Sequence, residues 1–211
     1  MNSRALSRFS CDIRPSVPPG PVASAPMPLV DHRDCVLVVV DAQEGFYAGS
    51  PDGERALARL TWLARVARLL DVPLVLTEEE PERNGSTFAP LAELAGSPAF
   101  VKPTFGLTGT PEILAAVEAT GRRTAVLGGF ETDVCVAQSA VGLAERGLRV
   151  VVVEDAVSSP GEMHARGLAR MTAAGVELNH CKGLAYEWTR TVDEARRVLS
   201  APELGEPPFQ L

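Results

Sequence analysis

Val36-Leu37-Val38-Val39-Val40-Asp41-Ala42-Gln43 is the stretch that decides the fold. Five consecutive apolar residues, four of them β-branched, leave no polar face, so the run reads as a strand buried on both sides, as strands inside a parallel sheet are. It stops abruptly at a carboxylate. Beyond it, residues 55–70 read as a helix, with Leu60, Leu63, Ala67 and Leu70 on one stripe. Further strands are expected at 72–77, at 99–101 ending on Lys102, at 124–127 closed by Gly128-Gly129, at 148–153 and at 176–178. Helices are expected at 111–120, opened by Pro111, at 132–146, ended by Gly147, at 161–174 and at 191–200. This alternation predicts one three-layer α/β domain over residues 31–211, a mostly parallel six-stranded sheet with helices on both faces.

Composition bounds the function. The chain has 211 residues, is 45% hydrophobic and carries a formal net charge of −7. That balance argues against a nucleic-acid or anionic-membrane binder, which needs a net basic face. No apolar run approaches the length of a membrane span. Cys11, Cys35, Cys135 and Cys181 form no C-x-x-C pair, and His32, His164 and His180 show no ligand spacing, so neither a zinc site nor a disulfide framework is expected. Residues 1–30, rich in proline, read as a flexible extension. They contain no apolar secretory core, and with free thiols this points to the cytoplasm.

Open parallel sheets bind ligands beyond the carboxyl ends of their strands. Three informative residues fall there: Asp41, Lys102 and Cys135. A lone cysteine is more often a small buried apolar residue than a nucleophile. Cys135, however, falls in the expected first turn of a helix, where unpaired N–H groups lower a thiol pKa and can hold an oxyanion. Asp41 alone reads as a turn residue or cap and Lys102 alone as a surface cation. Together they supply a carboxylate to take the thiol proton and a cation to hold that carboxylate. Lysine is scarce, Lys102 and Lys182 being the two among twenty basic residues, which adds weight to Lys102. Cys181 follows the last strand without such features.

Three segments carry a resemblance to the isochorismatase-like cysteine hydrolases. Asp41-Ala42-Gln43-Glu44-Gly45-Phe46 resembles their D-x-Q-x-x-F opening, and Val101-Lys102-Pro103 with Phe105 their lysine segment. Gly129-Phe130-Glu131-Thr132-Asp133-Val134-Cys135-Val136 resembles their G-x-x-T-[DN]-x-C-V nucleophile segment. The resemblance covers roughly residues 35–190 and implies the strand order 3-2-1-4-5-6, with Asp41 and Cys135 on neighbouring strands. It implies Cys135 as nucleophile, Asp41 as general base and acid, and Lys102 as charge partner. It also implies a cis peptide at Phe130–Glu131 that aims the Glu131 and Cys135 amides at one oxyanion. The reaction implied is cleavage of a small amide or carbamoyl C–N bond through a thioester, by a homo-oligomer.

Departures from the family narrow the substrate. Nicotinamidases of the superfamily carry histidine metal ligands after the second strand. Here that region reads Thr77-Glu78-Glu79-Glu80-Pro81-Glu82 and on to Thr87 without a histidine, so no catalytic metal and no cofactor are expected. The acidic run reads as a solvated loop rather than as a ligand for a cationic substrate. Phe46, Phe105 and Phe130 are candidates to line the pocket, with core packing the competing reading for Phe46 and Phe105. Gln43 either contacts substrate or satisfies backbone beside the site. Tyr186 and Trp188 read as core or subunit-interface residues. Two other readings stay open: a vinyl-ether hydrolase of the isochorismatase type, and a catalytically silent binding or scaffold protein.

Overall fold

The computed structural model describes residues 28–50 and 52–210. Cys11 and most of the expected N-terminal extension lie outside them. The described chain is already docked at its start: Val30 is buried, and its N–H donates to Glu187 Oε2 at 2.6 Å.

The sheet is built from β1 (Cys35–Val40), β2 (Leu74–Glu79), β3 (Phe100–Lys102), β4 (Thr124–Phe130), β5 (Arg149–Ser158) and β6 (Glu177–Asn179). All pairings are parallel and the order is β3-β2-β1-β4-β5-β6, as expected. The helices are α1 (Glu44–Tyr47), α2 (Gly53–Leu69), α3 (Pro81–Asn84), α4 (Ala89–Ala95), α5 (Pro111–Ala119), α6 (Ala137–Glu145), α7 (Met163–Ala173), α8 (Cys181–Thr189) and α9 (Val192–Leu199).

β1 shows why the sheet has two covered faces. Its side chains alternate: Leu37 and Val39 join a core formed with α2, α4, α8 and α9, whereas Val36, Val38 and Val40 join a second core under α5, α6 and α7. All six β1 residues are fully buried, which is why no polar residue appears in the run.

Four expectations need correction. β4 does not end before Gly128-Gly129 but runs through both to Phe130. The glycines are there because β1 and α2 leave no room: a Cβ on Gly129, whose φ is +129°, would lie 1.9 Å from Val40 O, and one on Gly128 would meet Leu60 at 2.6 Å. β5 is longer than its apolar core, continuing past Glu154 and Asp155 to Ser158 after a register shift against β4 at those glycines. The single helix expected at 132–146 is a π-helical turn, Thr132–Val136, followed by α6. Lastly, α8 lies between the strand expected at 176–178 and the helix expected at 191–200, where no element is assigned from sequence. Leu184, Ala185 and Trp188 form its buried stripe, and the His180 imidazole caps it by accepting from Gly183 N–H. Trp188 is fully buried in the core and Tyr186 is exposed.

Candidate active site

β1 and β4 are adjacent, and the chain leaves the sheet in opposite directions from them: β2 lies beyond β1 and β5 beyond β4. Their carboxyl ends form the switch-point crevice of a doubly wound sheet. Asp41 follows β1 directly, in a left-handed conformation (φ +47°) fixed by its N–H donating to Thr77 O at 3.1 Å. Lys102 closes β3 and Cys135 sits in the π-helical turn after β4.

Three of the expected site residues come together. Lys102 Nζ lies 2.6 Å from Asp41 Oδ2 and 3.5 Å from Cys135 Sγ, and it donates to Thr104 O at 3.1 Å. Asp41 and Lys102 are wholly buried and Cys135 is 2% exposed. Thr77 Oγ1 donates to Asp41 Oδ1 at 2.8 Å, fixing the carboxylate from the side away from the lysine. A buried ion pair tolerates desolvation only when its remaining donors and acceptors are satisfied, and Thr77 and the Thr104 carbonyl do that here.

The turn that carries Cys135 is braced from α7 and from the residue that follows β5. Thr132 Oγ1 hydrogen-bonds His164 Nδ1 at 2.9 Å, and Ser159 Oγ donates to Asp133 Oδ1 at 2.7 Å. Gly167 lets α7 approach, since a Cβ there would stand 2.8 Å from Asp133 Cα. The Phe130–Glu131 peptide is cis, and the Glu131 carbonyl accepts from Val134 N–H and Val136 N–H.

The electrostatics differ from the expected low thiol pKa. Burial pushes the Cys135 thiol upward, the Asp41 charge pushes it further, and Lys102 offsets only part of this. The α-helix proper begins at Ala137, so Cys135 lies ahead of its first turn rather than in it. Burial also raises the Asp41 carboxyl, against the downward pull of Lys102, Thr77 and the thiol. Burial and the Asp41 charge thus hold the thiol toward its neutral form beside the Asp41–Lys102 ion pair.

Other expectations divide. Gln43 is buried and takes the backbone-satisfying reading: its amide accepts from Glu79 N–H at 2.7 Å and donates to Glu79 O at 3.1 Å. Phe46 packs against the α2 core, and Phe130 is wholly buried in that core with its ring centroid 6.2 Å from that of Tyr47. Phe105 is half-exposed and borders a cavity of about 580 Å³ lined also by Glu79, Val101 and Lys102.

The acidic run is not a uniform solvated loop. Glu78 turns inward and accepts from Thr87 N–H and Oγ1, Glu80 and Glu82 face solvent or the cavity, and Glu79 reaches the thiol, with Cys135 Sγ 3.4 Å from its Oε2. Sequence reasoning missed Glu79. Its position at the carboxyl end of β2, beside β1, was the available signal, hidden by three neighbours of the same charge. Cys181 also differs from expectation: it opens α8, but its thiol is fully buried and raised by burial and by Asp155.

Asp41, Glu79 and Cys135 place ligand atoms within 4.8 Å of one another, so they are the residues that could hold a cation. Lys102 already supplies a positive charge to Asp41 at that point.

A doubly wound parallel sheet with a buried aspartate, lysine and cysteine gathered at its switch point defines a hydrolase-type α/β fold. The sequence model of the Isochorismatase domain matches residues 35–180, and the chain belongs to that family. Isochorismatase domain-containing protein 2 of Rattus norvegicus is 33% identical over 152 residues, covering 68% of this chain and 71% of the relative. Among solved structures, YcaC from Pseudomonas aeruginosa, determined with hexane-2,5-diol and covalent acrylamide, superposes with a TM-score of 0.75 at 27% identity, covering 83% of this chain and 92% of that one. YcaC from Escherichia coli, described as an octameric hydrolase of unknown specificity, has a TM-score of 0.75 at 26% identity, covering 86% and 95%.

Proposed function

We propose that this protein is a cysteine-dependent hydrolase that cleaves a small amide or carbamoyl C–N bond through a thioester. The observation that carries this reading is the meeting of three buried groups, with Lys102 Nζ 2.6 Å from Asp41 Oδ2 and 3.5 Å from Cys135 Sγ, beside a cavity. A buried ion pair at a sheet's ligand-binding edge is costly to keep for stability alone.

In this mechanism Asp41 takes the Cys135 proton as sulfur attacks the carbonyl carbon. The oxygen of the tetrahedral intermediate, now negative, turns toward the backbone amides of Glu131 and Cys135. The C–N bond breaks, and Asp41 returns the proton to the leaving nitrogen, releasing ammonia or an amine. Water then gives a proton to Asp41 and attacks the thioester. The acid leaves, and Asp41 returns the proton to the thiol. Lys102 keeps Asp41 charged and in place throughout. The neutral resting thiol suits a base that acts in step with attack.

Two properties accompany this reading. The octameric state given for the Escherichia coli neighbour favours a homo-oligomer here. Among the described residues no helix is long and apolar enough to cross a membrane.

The test is ammonia release from a panel of small amides and ureido compounds. Cys135→Ala is expected to lose release from any responsive substrate while keeping the wild-type melting temperature to within a few degrees. Full ammonia release in that variant would overturn the thioester route, whereas cleavage of a vinyl ether that persists in Cys135→Ala would assign vinyl-ether chemistry, which needs no thiol. No response across the panel by a folded wild type, with a vinyl ether also untouched, would favour a silent scaffold.

A further inference from the structure

The catalytic cavity carries an acidic wall that the hydrolytic chemistry does not use. Glu79 Oε2 stands 3.4 Å from Cys135 Sγ, yet among the described residues no cation lies within ion-pair range of Glu79. Its backbone is clamped on both sides, with Gln43 holding its N–H and Gln43 and Asn84 Nδ2 both donating to its carbonyl. The backbone is thus held by the scaffold, and the carboxylate's one hydrogen bond among the described residues is the one Oε2 accepts from the Cys135 thiol.

Charge around the cavity is one-sided. Lys102 is committed to Asp41 at 2.6 Å, and Arg83 lies 3.6 Å from Glu80. That leaves Glu79 and Glu82 on the wall without a counterion among the described residues, facing the half-exposed apolar surfaces of Val101 and Phe105. The Glu131 carboxyl is also raised, by burial first and then by the neighbouring charges of Asp133 and Glu79. A carboxylate-bearing substrate would add another negative charge to this group and leave it unpaired.

We propose that Glu79 makes the site selective for small amides bearing an ammonium or guanidinium group close to the scissile carbonyl. Sulfur must bond the carbonyl carbon, so a group held by Glu79 lies within a few bonds of that carbon. Val101 and Phe105 then accept the substrate's apolar part. This inference rests on the proposed thiol chemistry, and its test separates the two.

The probes are three methanethiosulfonates: a small neutral methyl reagent, and a cationic trimethylammonioethyl and an anionic sulfonatoethyl reagent of similar size to each other. Each modifies a thiol by forming a disulfide and releasing methanesulfinate. Rates at Cys135 in the full chain are followed by peptide mass spectrometry and normalised to the same reagents on free cysteine. A unit charge about 5 Å away in partly solvated surroundings predicts a cation-over-anion preference of about tenfold or more at low salt, shrinking as salt is added. Glu79→Gln keeps the shape and is expected to bring that preference close to the free-cysteine ratio, with a melting temperature confirming the fold. Modification of Cys135 by the neutral reagent with no order among the charged ones would overturn the role of Glu79 and leave the nucleophile standing. A preference unchanged in Glu79→Gln would also overturn it, assigning the field to Asp41 or Glu131. Failure of all three reagents at Cys135 would overturn both the inference and the nucleophile.

Discussion

Asp41→Asn is expected to stop turnover and at the same time to make Cys135 react faster with iodoacetamide. The two effects have one origin. In the proposed mechanism Asp41 accepts the thiol proton and returns it to the leaving nitrogen, and a positioned base of this kind is worth about 10²–10⁴ in rate. The same carboxylate is also the leading electrostatic obstacle to a free thiolate, its charge coming directly after burial in raising the Cys135 thiol, while Lys102 pulls the other way. Exchanging it for a neutral amide removes the larger of the two carboxylate influences, Glu79 being the smaller, and leaves Lys102 Nζ 3.5 Å from Sγ without its paired carboxylate. Because a nearby cation favours the charged form of an acid, the thiol value falls and the thiolate fraction at neutral pH grows.

The measurement is the pH profile of alkylation at Cys135, compared with Cys35 and Cys181 in the same digest. In the wild type, Cys135 labelling should remain slow at neutral pH and rise only above the roughly 8.5 of a free thiol. In Asp41→Asn the profile should move to lower pH, with labelling at pH 8 faster by about tenfold. Cys35, whose thiol burial raises to about 12, should not change. Slower labelling in the variant would mean that Asp41 normally promotes the thiolate, contrary to the charge arrangement described. Retained turnover would remove Asp41 from its role as base.

The parts of this site that could be read from sequence are those that end a recognisable strand. Asp41 and Lys102 each follow an apolar run, and the rule that parallel sheets act at their carboxyl ends placed them without side-chain geometry. The strand order and the proximity of Asp41 to Cys135 came through the resemblance, because periodicity says which segments are strands but not which strands are neighbours. Glu79 was illegible because its meaning depends on two facts absent from local pattern. β2 continues two residues past its expected end at Thr77, and Gln43, from another segment, fixes the backbone that aims it. The glycines at 128 and 129 misled for a related reason: local propensity treats Gly-Gly as a break, whereas here the packing of Val40 and Leu60 demands it inside a strand. The thiol was misjudged in sign because a helix N-terminus and a lysine are visible in sequence, and burial together with the reach of Asp41 is not.

Lys102→Met is expected to be the most destabilising of the active-site substitutions, by an amount that depends on pH. The lysine is wholly buried, and removing it leaves the equally buried Asp41 without its counter-charge. Breaking a buried pair in this way costs about 3–5 kcal/mol, which for a domain of this size lowers the melting temperature by roughly 6–20 °C. Asp41 can avoid part of the cost by taking a proton. Burial already raises its carboxyl, and loss of Lys102 removes the largest opposing influence, so the value rises further. A carboxyl raised on folding contributes stability at pH below its unfolded value and loses it as pH climbs through the folded one. The deficit against wild type should therefore be small near pH 4 and widen toward pH 8. Asp41→Asn/Lys102→Met, which removes both charges, should recover most of the lost stability at pH 8 while remaining inactive. A deficit independent of pH, or a double variant no better than Lys102→Met, would show that Lys102 acts through packing alone. Recovery without activity would instead mean that the Asp41–Lys102 pair contributes little net stability and is kept in the core for what it does to the thiol.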